Sequence, residues 1–133
     1  RDLMWKYCGV VRSGDGLIIG LQKLEEVRKA STDVDVRPSA EGYIDLALAL
    51  DLLGSIESAE ATIKSALLRE ESRGAHQRTD YPNLSDNEVV NYLVELENGE
   101  QKTSSRNVKA VRSELIEPLS KFSDLGVNGR LLE

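Results

Sequence analysis

One cysteine, one histidine, one tryptophan and one phenylalanine are all that these 133 residues contain of those types. A lone thiol, Cys8, excludes an internal disulfide framework and suits a reducing compartment. A lone imidazole, His76, and the lack of any H-E-x-x-H spacing leave no ligand set for a metal. The aromatics, among them Trp5, Tyr7, Tyr43 and Phe122, are too few and scattered to form a stacking platform for bases. Positive charge is also scarce: 17 Lys and Arg face 23 Asp and Glu, for a formal net charge of -6 and a pI near 4.9. Such a surface lacks the cations that neutralise phosphates, and an anionic bilayer repels it, so nucleic acid and direct membrane insertion are not expected. No apolar run approaches the roughly 20 residues that span a bilayer, and Arg1 to Val11 lacks the order of a signal peptide. The expected location is the cytoplasm. With Arg1 in place of an initiator Met, the chain reads as a piece excised from a longer protein.

What is present is apolar periodicity. An apolar fraction of 40% is that of a folded domain, and the length suits one compact unit over 1–133. Leu3, Tyr7, Val10 and Val11 share one helical face, with Met4 and Cys8 beside it. Gly14-Asp15-Gly16 breaks the pattern, and Ser13 or Asp15 is available as an N-cap. Leu17, Leu21, Leu24 and Val27 then restart it. Ser31 to Pro38 is a polar connector, and Ser39 after Pro38 is a good cap for a third helix. That helix carries a long stripe, Leu46, Leu50, Leu53, Ile56, Ala59, Ile63, Ala66 and Leu67, and its end is expected near Arg73-Gly74.

Beyond a loop through Tyr81-Pro82 the period becomes two. Val90, Tyr92, Val94 and Leu96 alternate with Asn91, Leu93 and Glu95, and Asn98-Gly99 is a strong two-residue hairpin turn. The return strand, Gln101 to Val108, is polar, so the hairpin must dock on something to persist. A short helix through Val111, Leu115 and Ile116, stopped at Pro118, and an irregular tail complete the chain. The expected fold is mainly α: an antiparallel three-helix bundle with a long third helix, a small β-hairpin and an irregular C-terminal tail. The bundle and its following loop take 1–86, the hairpin 87–108, and the short helix and tail 109–133. Leu17, Leu21, Leu24, Leu46, Leu50, Leu53, Ile56, Ile63 and Leu67 are its core candidates.

The charged run from Arg69 to Pro82 holds the only histidine, three arginines and three carboxylates at a helix end. The plain reading is a solvated helix end with a few capping pairs. A catalytic reading needs a nucleophile and base in one pocket, which proximity in sequence does not supply. Gly14-Asp15-Gly16 with Gly20 approaches a G-x-G-x-x-G dinucleotide fingerprint, but the third glycine comes one position late and a helix precedes it. A corner between helices is the stronger reading.

Glu71-Ser72-Arg73-Gly74-Ala75-His76-Gln77-Arg78-Thr79-Asp80-Tyr81-Pro82, preceded by Ser65-Ala66-Leu67-Leu68-Arg69, resembles a signature of the succinate dehydrogenase/fumarate reductase flavoproteins. Leu3-Met4-Trp5-Lys6-Tyr7-Cys8-Gly9-Val10-Val11-Arg12 is similar to the first helix of their C-terminal domain and its G-V-x-R corner. L-aspartate oxidase, of the same superfamily, usually has leucine where this chain has Ala75 and lacks an arginine at Arg78. The family's Trp and His between Asn87 and Leu96 are missing here, so the resemblance is looser over the hairpin. The resemblance implies a non-catalytic helical C-terminal domain packed on the FAD-binding domain of the same polypeptide. It implies a parent FAD-dependent oxidoreductase that moves a hydride between succinate or fumarate and FAD. An iron–sulfur subunit takes the electrons, and partner subunits provide any membrane association. The fragment itself is expected to carry no catalytic residue and no cofactor. Glu71, Arg73, Gly74, His76, Arg78 and Asp80 are expected at the domain interface. The readings that compete are a free-standing helical interaction module and the equivalent domain of L-aspartate oxidase.

Overall fold

A computed structural model describes residues 1–37, 43–85, 89–109 and 112–120, the last four of these by backbone alone. Helix α1 (Asp2–Tyr7) leads through strand β1 (Val11–Arg12) into α2 (Gly14–Ala30) and a 3-10 turn at Ser31–Asp33. Helix α3 (Ile44–Leu68), strand β2 (Gln77–Arg78), the hairpin β3 (Val90–Glu97) and β4 (Glu100–Asn107), and α4 (Ser113–Ser120) follow. The fold is mainly α with a small hairpin, as the apolar spacing leads one to expect.

The start of α2 and the end of α1 have local causes. Ser13 caps α2, its hydroxyl accepting the Gly16 N–H at 3.2 Å. Glycine is needed at position 9, where a Cβ would lie 2.9 Å from the Trp5 carbonyl oxygen. That close turn ends α1 at Tyr7, so Val10 and Val11 lie beyond the helix and are exposed, not on its apolar face.

The core is one cluster: Cys8, Leu17, Leu24, Ile56, Ala59, Ile63 and Ala66, with Leu21 and Leu67 partly buried against it. Leu17 and Ile63 are fully buried at its centre. Gly20 lets α2 approach α1 and α3, since a Cβ there would meet Tyr7 Cβ at 3.0 Å and Ile63 Cδ1 at 3.5 Å. Arg28 on α2 ties the pair at its rim, donating to Glu57 at 2.6 Å and also to Glu60.

Three of the core candidates are not in it. Leu46, Leu50 and Leu53 are 42%, 62% and 55% exposed. The reason is length: α2 has 17 residues and α3 has 25, about 26 Å against about 38 Å at the 1.5 Å rise of a helix. The second half of α3 is covered by α2 and the first half is not. Helix α3 also stops at Leu68, with Arg69 extended, rather than near Gly74. The capping of its last carbonyls, described below, is what ends it. Ser39, expected to cap its start, and the expected irregular tail after Ser120 lie outside the described residues.

The hairpin has the expected register. Glu97 pairs with Glu100 across Asn98 and Gly99, whose φ values of 52° and 82° are those of a type I′ turn. It docks on α3 through polar bonds: the Gln101 side-chain amide donates to Glu57 O at 2.8 Å and to Glu57 Oε2 at 2.9 Å. Val90 is its one buried apolar residue, and Leu96 near the turn is exposed. Helix α4 begins after Arg112 and continues past Pro118 to Ser120, whereas the sequence reading ended it at that proline.

Candidate functional site

The last carbonyls of a helix have no partners within it. At the end of α3 the guanidinium of Arg78 supplies them. Its Nη1 donates to Ala66 O at 2.9 Å and to Leu67 O and Arg69 O at 3.3 Å. The rest of the fork grips Asp80, Nε to Oδ1 at 2.8 Å and Nη2 to Oδ2 at 2.6 Å. This side chain is only 3% exposed, and its guanidinium stacks 4.9 Å from the Tyr81 ring. Ser72 fixes the strand that carries it: its hydroxyl accepts the Arg78 N–H at 2.9 Å and donates to Tyr81 O at 2.8 Å.

Asp80 then reaches across to the start of α2, accepting the Gly14 N–H at 2.9 Å. A Cβ at Gly14 would sit 2.9 Å from that carboxylate oxygen, so glycine is the residue that fits. The short parallel pair of β1 and β2 lies alongside, with Val11 opposite Gln77 and Arg12 opposite Arg78. One residue pair thus ties the N-terminal corner to the end of α3. The Arg78 fork, ahead of the opposing effect of burial, holds the Asp80 carboxyl well below the usual carboxylate range, with help from Gly14 N–H. The Gly14-Asp15-Gly16 corner is closed by Ser13 and Asp80, a geometry that does not fit a phosphate cradle.

A second knot centres on Glu71, which is 4% exposed. It accepts from Arg69 Nη1 at 2.6 Å, from Arg73 Nε at 3.0 Å and from Ser85 N–H at 3.0 Å. Burial works against its charge, but those hydrogen bonds prevail and bring the carboxyl to about 2. Arg69 also donates to Val90 O at 2.9 Å and stacks 4.8 Å from the Tyr92 ring, so this knot holds the hairpin too.

Between the knots, Arg73 and His76 exchange backbone bonds of 2.8 and 3.0 Å around Gly74, whose φ of 58° places it in the left-handed region. His76 Nε2 lies 3.1 Å from Arg69 O. A carbonyl only accepts, so Nε2 carries the hydrogen. Burial, against the pull of that bond and aided by Arg12, Arg69 and Arg78, keeps the imidazole neutral below its ordinary value.

All six residues singled out in the sequence therefore fall in this loop. Glu71 pairs with Arg73, Arg78 pairs with Asp80, His76 shares the Arg69 carbonyl with Arg78, and Gly74 makes the turn. Arg69, Ser72 and Gly14 matter equally and were not singled out. Ser72 stands inside the motif, but nothing local marks Gly14 as the partner of a residue 66 positions away. Each of these carboxylates is held by arginine, with neither a nucleophile–base pair nor, among the described residues, a group of acids, His and Cys able to hold a metal. The arrangement is a clamp.

The family described as fumarate reductase flavoprotein C-term matches residues 1–121. A succinate dehydrogenase flavoprotein subunit of Rickettsia bellii is 36% identical over 92 residues, 68% of this chain and 15% of that protein. An L-aspartate oxidase of Pyrococcus furiosus is 42% identical over 82 residues, 62% of this chain and 13% of that one. Among solved structures, an E. coli quinol fumarate reductase FrdA chain superposes with a TM-score of 0.74 at 26% identity, over 84% of this chain and 20% of its own. A Mycobacterium smegmatis Sdh1 chain reaches a TM-score of 0.81 at 23% identity over 94% of this chain and 22% of its own, a likeness of fold. The chain spans 13–15% of the length of the two curated relatives.

Proposed function

The chain belongs to the family of fumarate reductase flavoprotein C-terminal domains, and from that premise we propose that it is the helical buttress of a longer flavoprotein, packed on the FAD-binding domain of the same polypeptide. The parent moves a hydride between succinate or fumarate and FAD. It passes electrons to an iron–sulfur subunit and meets the membrane through partner subunits on the cytoplasmic side. Its flavin site and its substrate groups belong to other parts of that polypeptide. Within the domain, Glu71, Arg73, Gly74, His76, Arg78 and Asp80 hold the signature loop rigid, so that its exposed members, Tyr81 and Leu84 among them, meet the flavin domain.

The observation that carries this reading is the first half of α3. Ile44, Leu46, Leu48, Leu50 and Leu53 are all exposed, and Asp45 and Asp51 are the only charges from Ile44 to Leu53. A helix that is apolar on every side belongs inside a larger protein. An adaptor adapted to stand alone would not present it to water.

The test is to raise an antibody to this domain and blot a lysate of the source cells, reading flavin fluorescence on the same denaturing gel. A band several times heavier than 14.7 kDa, co-migrating with flavin, is expected. A flavin-free band at the chain's own size overturns the reading in favour of the interaction module. The 42% identity to an L-aspartate oxidase favours a second assignment of the same domain. Assaying the purified parent with succinate and with L-aspartate separates the two.

A further inference from the structure

Between the second half of α3, the end of β1 and the base of the hairpin lies a cleft of about 450 Å3, lined by Arg12, Ser65, Arg69, His76, Asn91 and Tyr92 together with small α3 residues. No acidic side chain lines it. Two of its three potential cations are committed elsewhere: Arg69 to Glu71, Val90 O and the Tyr92 ring, and His76, kept neutral, to Arg69 O. Arg12 is not. Its Nε is buried without a hydrogen-bond partner among the described residues, and its Nη1 donates only to the weak Cys8 sulfur acceptor at 3.8 Å. Its neighbour across the parallel pair, Arg78, has Asp80, whereas Arg12 has no carboxylate among the described residues.

A guanidinium keeps its charge, and withdrawing it from water unpaired is costly. A guanidinium matches the geometry of a carboxylate, and the cleft that Arg12 lines also holds the polar residues Ser65, Asn91 and Tyr92. We propose that Arg12 receives an Asp or Glu side chain from the flavin-binding part of the parent chain, which docks into this cleft and completes its hydrogen bonds. This rests on the buttress reading above. It adds a specific polar anchor to the apolar contact made by α3, and fixes the orientation in which the domain seats.

The experiment uses the full-length protein that carries this domain. The Arg12→Lys variant keeps the charge and places an amine in the cleft. A water-soluble carbodiimide then joins that amine to a carboxylate in direct contact, and peptide mass spectrometry locates the bond. The expected product links position 12 to an Asp or Glu outside residues 1–133. No link, or a link confined to this domain, overturns the proposal. If the variant does not accumulate, butanedione modification of the unsubstituted protein decides. Arg12 is expected to react about tenfold or more slowly than exposed Arg37, and a smaller difference overturns the proposal. The mass of the mature protein is read first. A heavy, flavin-bearing band without the cross-link sinks only the anchor, whereas a band at 14.7 kDa sinks the buttress reading and the anchor with it.

Discussion

Substituting Arg78 by Met preserves most of the stem and removes every donor that caps α3 and grips Asp80. The carbonyls of Ala66 and Leu67 lose their cap, and a carboxylate that also serves Gly14 is left without its cation. We expect a loss of about 2–4 kcal/mol in denaturant unfolding, discounted for the partial exposure of Asp80. Arg78→Lys should recover only part, because one ammonium cannot cap a helix and form a fork together. A loss under about 1 kcal/mol would remove the clamp from the account. Acid should act on the same loop in two ranges. His76 has a lowered value in the fold, so its contribution is full above the ordinary 6.5 and declines as the unfolded chain takes up the proton below it. Glu71 lies near 2 against an ordinary 4.5, so its contribution is full above 4.5 and is lost as the pH falls towards 2. Unfolding midpoints measured from pH 7 down to 2.5 should therefore flatten below 4.5 in Glu71→Gln, with Asp80 supplying the remaining slope. An unchanged slope would contradict the role given to Glu71. The motif that holds these residues was legible in the sequence as a cluster of charge. Which partner each would take was not, since the bonds to Gly14, Val90 O and Ser85 depend on where three other segments arrive.

Glycine separates propensity from packing at the scale of the element. Gly14 and Gly54 both lie in helices, where alanine is favoured by about 1 kcal/mol. At Gly54 an added Cβ meets nothing within 4 Å, so Gly54→Ala should stabilise α3 by about 0.5–1 kcal/mol. At Gly14 it meets the Asp80 carboxylate at 2.9 Å and Arg78 Nη2 at 3.1 Å, so Gly14→Ala should destabilise despite the same propensity gain. Thermal unfolding of the two variants side by side checks the opposite signs, and a stabilising Gly14→Ala would contradict the packing described. The same division explains which elements were legible. The spacing of Leu17, Leu21 and Leu24 located α2, and Asn98-Gly99 located the hairpin turn, because period and turn chemistry are local. The end of α3 was misplaced by five residues relative to Arg73, since Leu68 is followed by helix-compatible sequence and the cap comes from Arg78. The β1–β2 pair escaped notice for the same reason, being only two residues long on each side.

For the molecule as a whole, the apolar stripe of α3 was assigned entire to this domain's core, and its first half, Leu46, Leu50 and Leu53, is exposed instead. Periodicity reports that Leu46, Leu50 and Leu53 seek cover, without saying whether this domain or another provides it. The exposed first half of α3 also carries Leu48 and Ile44, and a groove of about 620 Å3 lined by Met4, Leu50, Gly54, Ser58 and Thr62 continues from it along the middle of the helix. Released from its parent, the chain should hide this surface by pairing with itself, because contiguous apolar area of this kind drives association. Sedimentation of the 133-residue chain over a range of concentrations should show reversible self-association. The triple variant Leu46→Gln, Leu48→Gln, Leu50→Gln should suppress it while leaving the near-ultraviolet signal of the core intact, since none of the three residues belongs to the buried cluster. In the full-length parent the same variant should do the opposite, weakening the seating of the domain and raising its susceptibility to protease. If the chain stays monomeric at every concentration and the parent tolerates the triple variant unchanged, the first half of α3 is a solvated extension. The buttress reading then loses the observation that carries it.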